Sequence, residues 1–335
     1  MYTISVDSGK ATTKWCAYKK GVGAGEKPIT GVFPTVIKPL IGQSQFGRIE
    51  NKVRYNGQLY SVGDAKDVKE VPMESCKLKA EHEICIYTAI AKALKALGAN
   101  LNQTQSVNLA LNVPLRDFKL DEKRAQYEDK YFQKDNHQTV SITLDDQVIN
   151  FIISDLTLCY EGQGSLIEAT LAHPEMKLDE GFVLLCDLGG CNSSVLLFED
   201  WEPVMNRNGA PLYGVLGLFR DVSFELSDRY ETEVTIRDVE LLSKGEHLKE
   251  KAFPHFEEVY SEKARQLLVN IRTHILRQVI NKHTTTFCFA GGGSRAVAPF
   301  IQEAFADVDY IILDDAQFAN CKGMLELTVS ENEGE

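Results

Sequence analysis

The chain has 335 residues, 44% hydrophobic and 25% charged, the balance of a globular protein with material for two cores. Its 48 acidic against 36 basic residues give a formal net charge of −12, and a surface of that sign repels phosphate backbones, which argues against direct nucleic-acid binding. No apolar run reaches the length of a membrane span and no secretory leader precedes the first strand. The eight cysteines form no C-x-x-C pair, so the chain reads as cytoplasmic, with buried reduced thiols and neither zinc site nor disulfide framework.

The first predicted element is a hairpin of strands over residues 2–7 and 13–18. Val32 to Ile37 and Lys52 to Val62 add strand-like pieces, the second folded back at Asn56-Gly57, a pair suited to a two-residue hairpin turn. Ile86, Ile90, Leu94 and Leu97 fall at helical spacing within Lys77 to Leu97, and Gly98 stops the helix. Val107 to Val113 is a buried strand ended by Pro114. A charged helix follows over Leu120 to Tyr131. Val140 to Leu144 and Val148 to Leu156 then form a hairpin turning at Asp145-Asp146.

A helix over Gly164 to Ala172 leads to a central hairpin, Phe182 to Phe198. Helices are predicted over Tyr213 to Tyr230, Ile236 to Leu242 and Glu257 to Ile280, the last with Val259, Leu267, Ile271, Ile275 and Val279 on one core-facing side. Thr284 to Ala290 is a strand feeding Gly291-Gly292-Gly293. A helix over Ala296 to Phe305, a strand over Tyr310 to Leu313 and a helix over Phe318 to Leu327 complete the pattern. Glu331 to Glu335 is acidic and predicted to be disordered. Hairpins thus open two halves of the chain and helices follow each, which suggests a duplicated α/β domain.

Three segments carry the chemistry. Asp7-Ser8-Gly9-Lys10-Ala11-Thr12-Thr13-Lys14 and Asp187-Leu188-Gly189-Gly190-Cys191-Asn192-Ser193-Ser194 each place a carboxylate and a glycine turn between two apolar strands. A triphosphate with its magnesium needs such parts: backbone N–H groups in a tight turn, and an acid for the metal shell. Either segment alone is more often only a turn. The strand that runs into Gly291, Gly292, Gly293 and Ser294 adds a third element, where missing side chains admit a base or ribose against the backbone.

The order Asp7-x-Gly9, Asp187-x-Gly189-Gly190, Gly291-Gly292-Gly293 resembles the actin-like ATPase superfamily, most closely the plasmid-segregation actins of the ParM/StbA type. Leu111-Asn112-Val113-Pro114-Leu115, Leu158-Cys159-Tyr160-Glu161 and Gln317 to Met324 resemble further elements of that branch. The resemblance implies an α/β actin-like (ribonuclease H-like) fold of duplicated domains with a nucleotide cleft between them, domain I being 1–160 plus 312–335 and domain II 161–311. It implies that Asp7 and Asp187 serve the Mg2+ shell. Gly9, Lys10, Ala11 and Thr12 would wrap the β-phosphate, Lys14 would contact a phosphate, Ser8 would join the nucleotide site, and Gly189, Gly190, Cys191 and Asn192 would surround the γ-phosphate. Gly291, Gly292, Gly293 and Ser294 would support the adenosine of ATP, with GTP the alternative.

Glu161 would orient or deprotonate the attacking water. The partners implied are further copies of the chain, in a filament, and a DNA-binding adaptor protein of ParR type. Longitudinal filament contacts are expected from 21–50 and 201–213. Lys10 stands where a small residue is common, and Cys191-Asn192 where Thr-Thr is common. Read without the resemblance, Glu161 is equally an exposed loop residue and Lys14 a solvated strand edge. Two alternatives remain: a small-molecule kinase of the same superfamily, with Asp155 as its base, and a slow-turnover actin-like scaffold.

Overall fold

The computed structural model describes residues 1–18, 27–40, 51–64, 77–132, 138–204, 212–246, 253–279 and 281–333. They fall into two units, Met1–Glu168 with Asn320–Glu335 and Ala169–Ala319. No described helix is long and apolar enough to cross a membrane.

The first unit begins with the predicted hairpin, β1 (Tyr2–Ser8) and β2 (Thr12–Tyr18), followed by β3 (Ile29–Pro34) and β4 (Ile37–Pro39). Strands β5 (Lys52–Tyr55) and β6 (Gln58–Val62) turn at Asn56 and Gly57, whose φ values of 48° and 78° are those a tight hairpin needs. Then come α1 (Ala80–Ala96), β7 (Gln105–Val113), α2 (Leu115–Phe118), α3 (Asp121–Tyr131), β8 (Val140–Leu144), β9 (Gln147–Tyr160) and α4 (Gln163–Ala172). The sheet order is β3-β2-β1-β7-β9-β8-β5-β6-β4, with β1, β7 and β9 mutually parallel.

Side chains alternate along β1. Ile4 and Val6 join the core beneath α1, whose Ile86, Ile90 and Leu94 are fully buried there. Each such side chain contributes about 1.5–3 kcal/mol by leaving water. Strand β9 runs past the predicted end at Leu156 because it pairs with β7 as far as Val113↔Tyr160. That extension carries the chain to Glu161 at the end of the sheet.

The second unit holds β10 (Phe182–Leu188), β11 (Asn192–Glu199), β12 (Glu202–Pro203), β13 (Leu212–Tyr213), α5 (Val215–Tyr230), α6 (Ile236–Ser243), α7 (Phe256–Gln278), β14 (Thr285–Ala290), α8 (Gly292–Ala296), α9 (Ala298–Ala304) and β15 (Tyr310–Ile312). Its sheet order is β12-β11-β10-β14-β15, with β13 also paired to β11. The hairpin β10–β11 is antiparallel, while β14 lies parallel to β10 and β15 parallel to β14. The run β2-β1-β7-β9 of the first unit has the same directions, so the duplication suggested by the hairpins extends to the sheets. Helix α6 starts at a reciprocal cap between Thr235 and Asp238, and Val259, Ile271 and Ile275 of α7 are buried as their spacing predicts.

The last helix, α10 (Ala319–Glu333), belongs to the first unit. Ser5 on β1 points away from Ile4 and Val6, and its hydroxyl donates to the Cys321 carbonyl at 2.7 Å. A Cβ at Gly323 would lie 1.9 Å from the Gly164 carbonyl oxygen, so α4 and α10 meet backbone to backbone. The helix continues through Glu331 to Glu333, where acidity predicts disorder. Buried Thr328 and Val329 anchor that turn, and packing overrides composition. Gly334 and Glu335 lie outside the described residues, as do most of 21–50 and of 201–213, Ile280 and Cys76. The seven described cysteines are free; Cys191 is half-buried and the others are buried.

Candidate functional site

The first loop is closed by the Gly9 N–H, which donates to the Thr12 carbonyl at 3.1 Å. Thr35, just past β3, holds the loop from one side. Its N–H donates to the Ala11 carbonyl at 2.9 Å and its hydroxyl to the Gly9 carbonyl at 2.7 Å. In a trans peptide the C=O and the following N–H point in opposite directions. Carbonyls captured by Thr35 therefore turn the N–H groups of Lys10 and Thr12 to the opposite side, the arrangement that binds an anion. Beneath the loop, Ser8 Oγ lies 2.7 Å from His82 Nδ1 and 3.3 Å from Thr13 Oγ1, which is 2.9 Å from Thr35 Oγ1.

Asp7 ends up buried next to two lysines. Strand pairing sets Lys14 opposite it, and the Lys14 ammonium donates to Oδ2 at 3.4 Å. Asn112, on the neighbouring β7, donates to Oδ1 at 2.9 Å. Lys77 Nζ stands 3.7 Å from Oδ1, donates to Asn112 Oδ1 at 2.5 Å, and lies 3.9 Å from Glu161 Oε1. Burial alone raises the Asp7 carboxyl, but Lys14, Lys77 and Asn112 reverse this and bring it down to about 2. Asp7 is ionised at neutral pH in a site that holds two cations.

The second loop repeats the first with different supports. The Gly189 N–H donates to the Asn192 carbonyl at 3.1 Å, and Asp187 pairs with Ser194 as Asp7 pairs with Lys14. Here the loop carbonyls are captured by the start of α5. Gly214 N–H donates to Cys191 O at 3.2 Å, Val215 N–H to Gly189 O at 3.1 Å and Leu216 N–H to Gly190 O at 3.0 Å. The same peptide geometry turns the N–H groups of Gly190, Cys191 and Asn192 away from α5. A Cβ at Gly214 would fall 2.2 Å from the Gly190 oxygen, so only glycine admits this approach.

Strand β14 brings Gly291 beside the second loop. Gly291 has φ 82° and its Cβ would sit 2.1 Å from Asp187 Oδ1. The glycine run is itself helical, as α8, where the sequence predicts a helix only from Ala296: Gly291 caps it and Ser294 Oγ donates to the Ala290 carbonyl at 2.5 Å. Asp187, Gly189 to Asn192 and Gly291 to Ser294 thus gather in the second unit, and Asp7 to Lys14 with Glu161 in the first.

Four contributors escape sequence reasoning: Lys77, Asn112, Thr35 and Gly214. Lys77 sits in Lys77-Leu78-Lys79, which reads as solvated charge, yet its side chain is only 2% exposed. Asp155 pairs in register with Asn108, four residues down β7 from Asn112. That places it about 13 Å from the Asp7 end of the sheet, too far to serve the same site. No three His, Cys, Asp or Glu side chains among the described residues cluster as a metal cage. A single carboxylate per loop, beside outward N–H groups, fits magnesium that keeps its waters and is held mainly by phosphate.

Residues 5–164 match the family of the actin like proteins N terminal domain. No curated protein sequence matches the chain. Among solved structures, an archaeal actin homolog in complex with ADP is similar with a TM-score of 0.75 at 19% identity, covering 99% of this chain and 100% of that one. The Alp12 filament is similar at 0.69 and 21% identity, covering 99% of each chain. A 15-stranded ParM filament from Clostridium botulinum is similar at 0.71 and 18% identity, covering 98% of this chain and 99% of that one. Identities this low speak to the fold, which is the duplicated α/β fold of the actins.

Proposed function

We propose that the chain is a filament-forming, magnesium-dependent ATPase that moves or segregates plasmid DNA through a DNA-binding adaptor protein of ParR type. The observation that carries this reading is the shared construction of the two loops. In each, an Asp stands one residue before the end of the first strand, a glycine N–H closes the turn at 3.1 Å, and captured carbonyls turn the remaining N–H groups outward. Each unit supplies one phosphate-binding loop. Lys10, Ala11 and Thr12 bind the β-phosphate with Lys14 adding charge, and Gly190, Cys191 and Asn192 bind the γ-phosphate. Asp7 and Asp187 hold waters of the magnesium shell; when bound, the ion neutralises charge on the phosphates. Glu161 orients the attacking water.

Self-assembly is supported by the Alp12 and Clostridium botulinum ParM structures, which are filaments. The formal net charge of −12 favours a basic adaptor over direct DNA contact. Titration calorimetry with ATP, GTP and ADP, each with and without Mg2+, tests the nucleotide assignment. ATP should bind, and more tightly with magnesium; no heat from any of the three nucleotides would overturn the reading.

A further inference from the structure

Two carboxylates of the first unit meet at a residue to which the proposed chemistry assigns nothing. Lys77 lies just before α1, and its backbone carbonyl accepts a hydrogen bond from the Tyr131 hydroxyl of α3 at 2.6 Å. Its ammonium is within 3.7 Å of Asp7 and 3.9 Å of Glu161, and is hydrogen-bonded to Asn112. The Lys77 side chain is 2% exposed, whereas that of Glu161 is 41% exposed. A buried ammonium costs several kcal/mol of desolvation and persists only where carboxylates and hydrogen bonds compensate it.

We propose that Lys77 is a positioning residue that holds the Asp7 and Glu161 carboxylates in a fixed relation through one buried cation. The inference rests on the reading of Glu161 as the group that orients water. A fixed cation behind the half-exposed Glu161 favours, among its rotamers, the one that turns the carboxylate toward Lys77 and Asp7. Lys77 sits behind the carboxylates and acts through them, so turnover depends on it more than nucleotide affinity does. The Tyr131 contact ties this cation to α3, so the position of Glu161 follows the packing of α1 and α3.

The test is a double-mutant cycle on the full chain. Phosphate release at saturating Mg-ATP and ADP affinity are measured for wild type, Lys77→Gln, Glu161→Gln and the double variant. Lys77→Gln should lower turnover on the order of 10²-fold, as a misplaced catalytic group does, while ADP affinity falls far less. In the Glu161→Gln background the same change should leave turnover where it was, because the effect travels through Glu161. Equal losses in both backgrounds would overturn the proposal, as would an active Lys77→Gln protein.

Wild type that binds ADP but releases no phosphate from ATP would remove the role of Glu161, and this inference with it, a pattern distinct from those two. Tyr131→Phe keeps the buried charge and releases only its tether, and covers the case in which Lys77→Gln does not fold. It should lower turnover in wild type and not in the Glu161→Gln background; a turnover equal to wild type would contradict the proposal.

Discussion

His82 Nδ1 lies 2.7 Å from Ser8 Oγ, directly under the glycine loop between β1 and β2. From there hydroxyls lead through Thr13 and Thr35 to the Gly9 carbonyl. Each hydroxyl carries one proton, and Thr35 spends its own on the carbonyl. The chain is filled when His82 donates to Ser8, Ser8 to Thr13 and Thr13 to Thr35. Burial, and then the charge of Lys77, pull His82 from the ordinary 6.5 down to about 4, so it is neutral in the folded protein at pH 7.

This linkage has a definite sign. A folded-state value below the unfolded one means that unfolding takes up a proton between them. The stability contributed by neutral His82 is complete above about 6.5 and lost as pH falls towards about 4. The loss amounts to about 3 kcal/mol at most. Thermal unfolding from pH 7.5 to 4.5 should show a fall in Tm that is smaller in His82→Gln. Parallel profiles for the two proteins would remove His82 as the titrating group.

Gly214→Ala should damage the second loop without straining its own backbone, since Gly214 has φ −87°. The added methyl meets the Gly190 carbonyl oxygen at 2.2 Å and the Gly189 oxygen at 2.6 Å, so the loop must move off α5. We expect a loss of about 1–3 kcal/mol and weaker ATP binding, read by chemical denaturation and calorimetry. Gly98→Ala is the comparison: Gly98 has φ 68° and open space around it, so its replacement should cost stability and leave ATP binding unchanged.

Much of the fold is legible because it rests on local chemistry. The turns at Asn56-Gly57 and Asp145-Asp146 and the helical spacing of Ile86, Ile90 and Leu94 need no knowledge of distant residues. The two Asp-x-Gly turns are legible for the same reason, and their being two is what separates them from ordinary turns. Lys77 is not legible, because only the approach of β7 and of the end of β9 turns one lysine of Lys77-Leu78-Lys79 into a buried cation. Gly214 is hidden likewise: its neighbours are carbonyls more than twenty positions back. The helical end of α10 goes against composition because Thr328 and Val329 find a core that acidity does not announce.

Glu161→Ala should spare nucleotide binding and slow hydrolysis by about 10²–10⁴-fold, the usual worth of a positioned general base. Filaments should then persist, since the step that destabilises them is blocked. Pelleting over time with Mg-ATP reads persistence, and phosphate release at the wild-type rate would take Glu161 out of the reaction.

Asp187→Ala should abolish magnesium-dependent hydrolysis, with phosphate release lowered on the order of 10²–10³-fold. Asp187 is half-buried and Gly291 leaves room beside it, so the second unit should fold without it. Circular dichroism checks the fold; turnover equal to wild type at saturating Mg-ATP would refute the assignment of the second loop.

The central claim, that nucleotide held on these loops drives assembly, is tested most directly by right-angle light scattering of the purified protein on adding Mg-ATP, with phosphate release followed in the same cuvette. The account predicts a rise in scattering, then decay as phosphate appears. Phosphate release with no rise in scattering, at concentrations up to tens of micromolar, would contradict it and leave a soluble nucleotide hydrolase or kinase in its place.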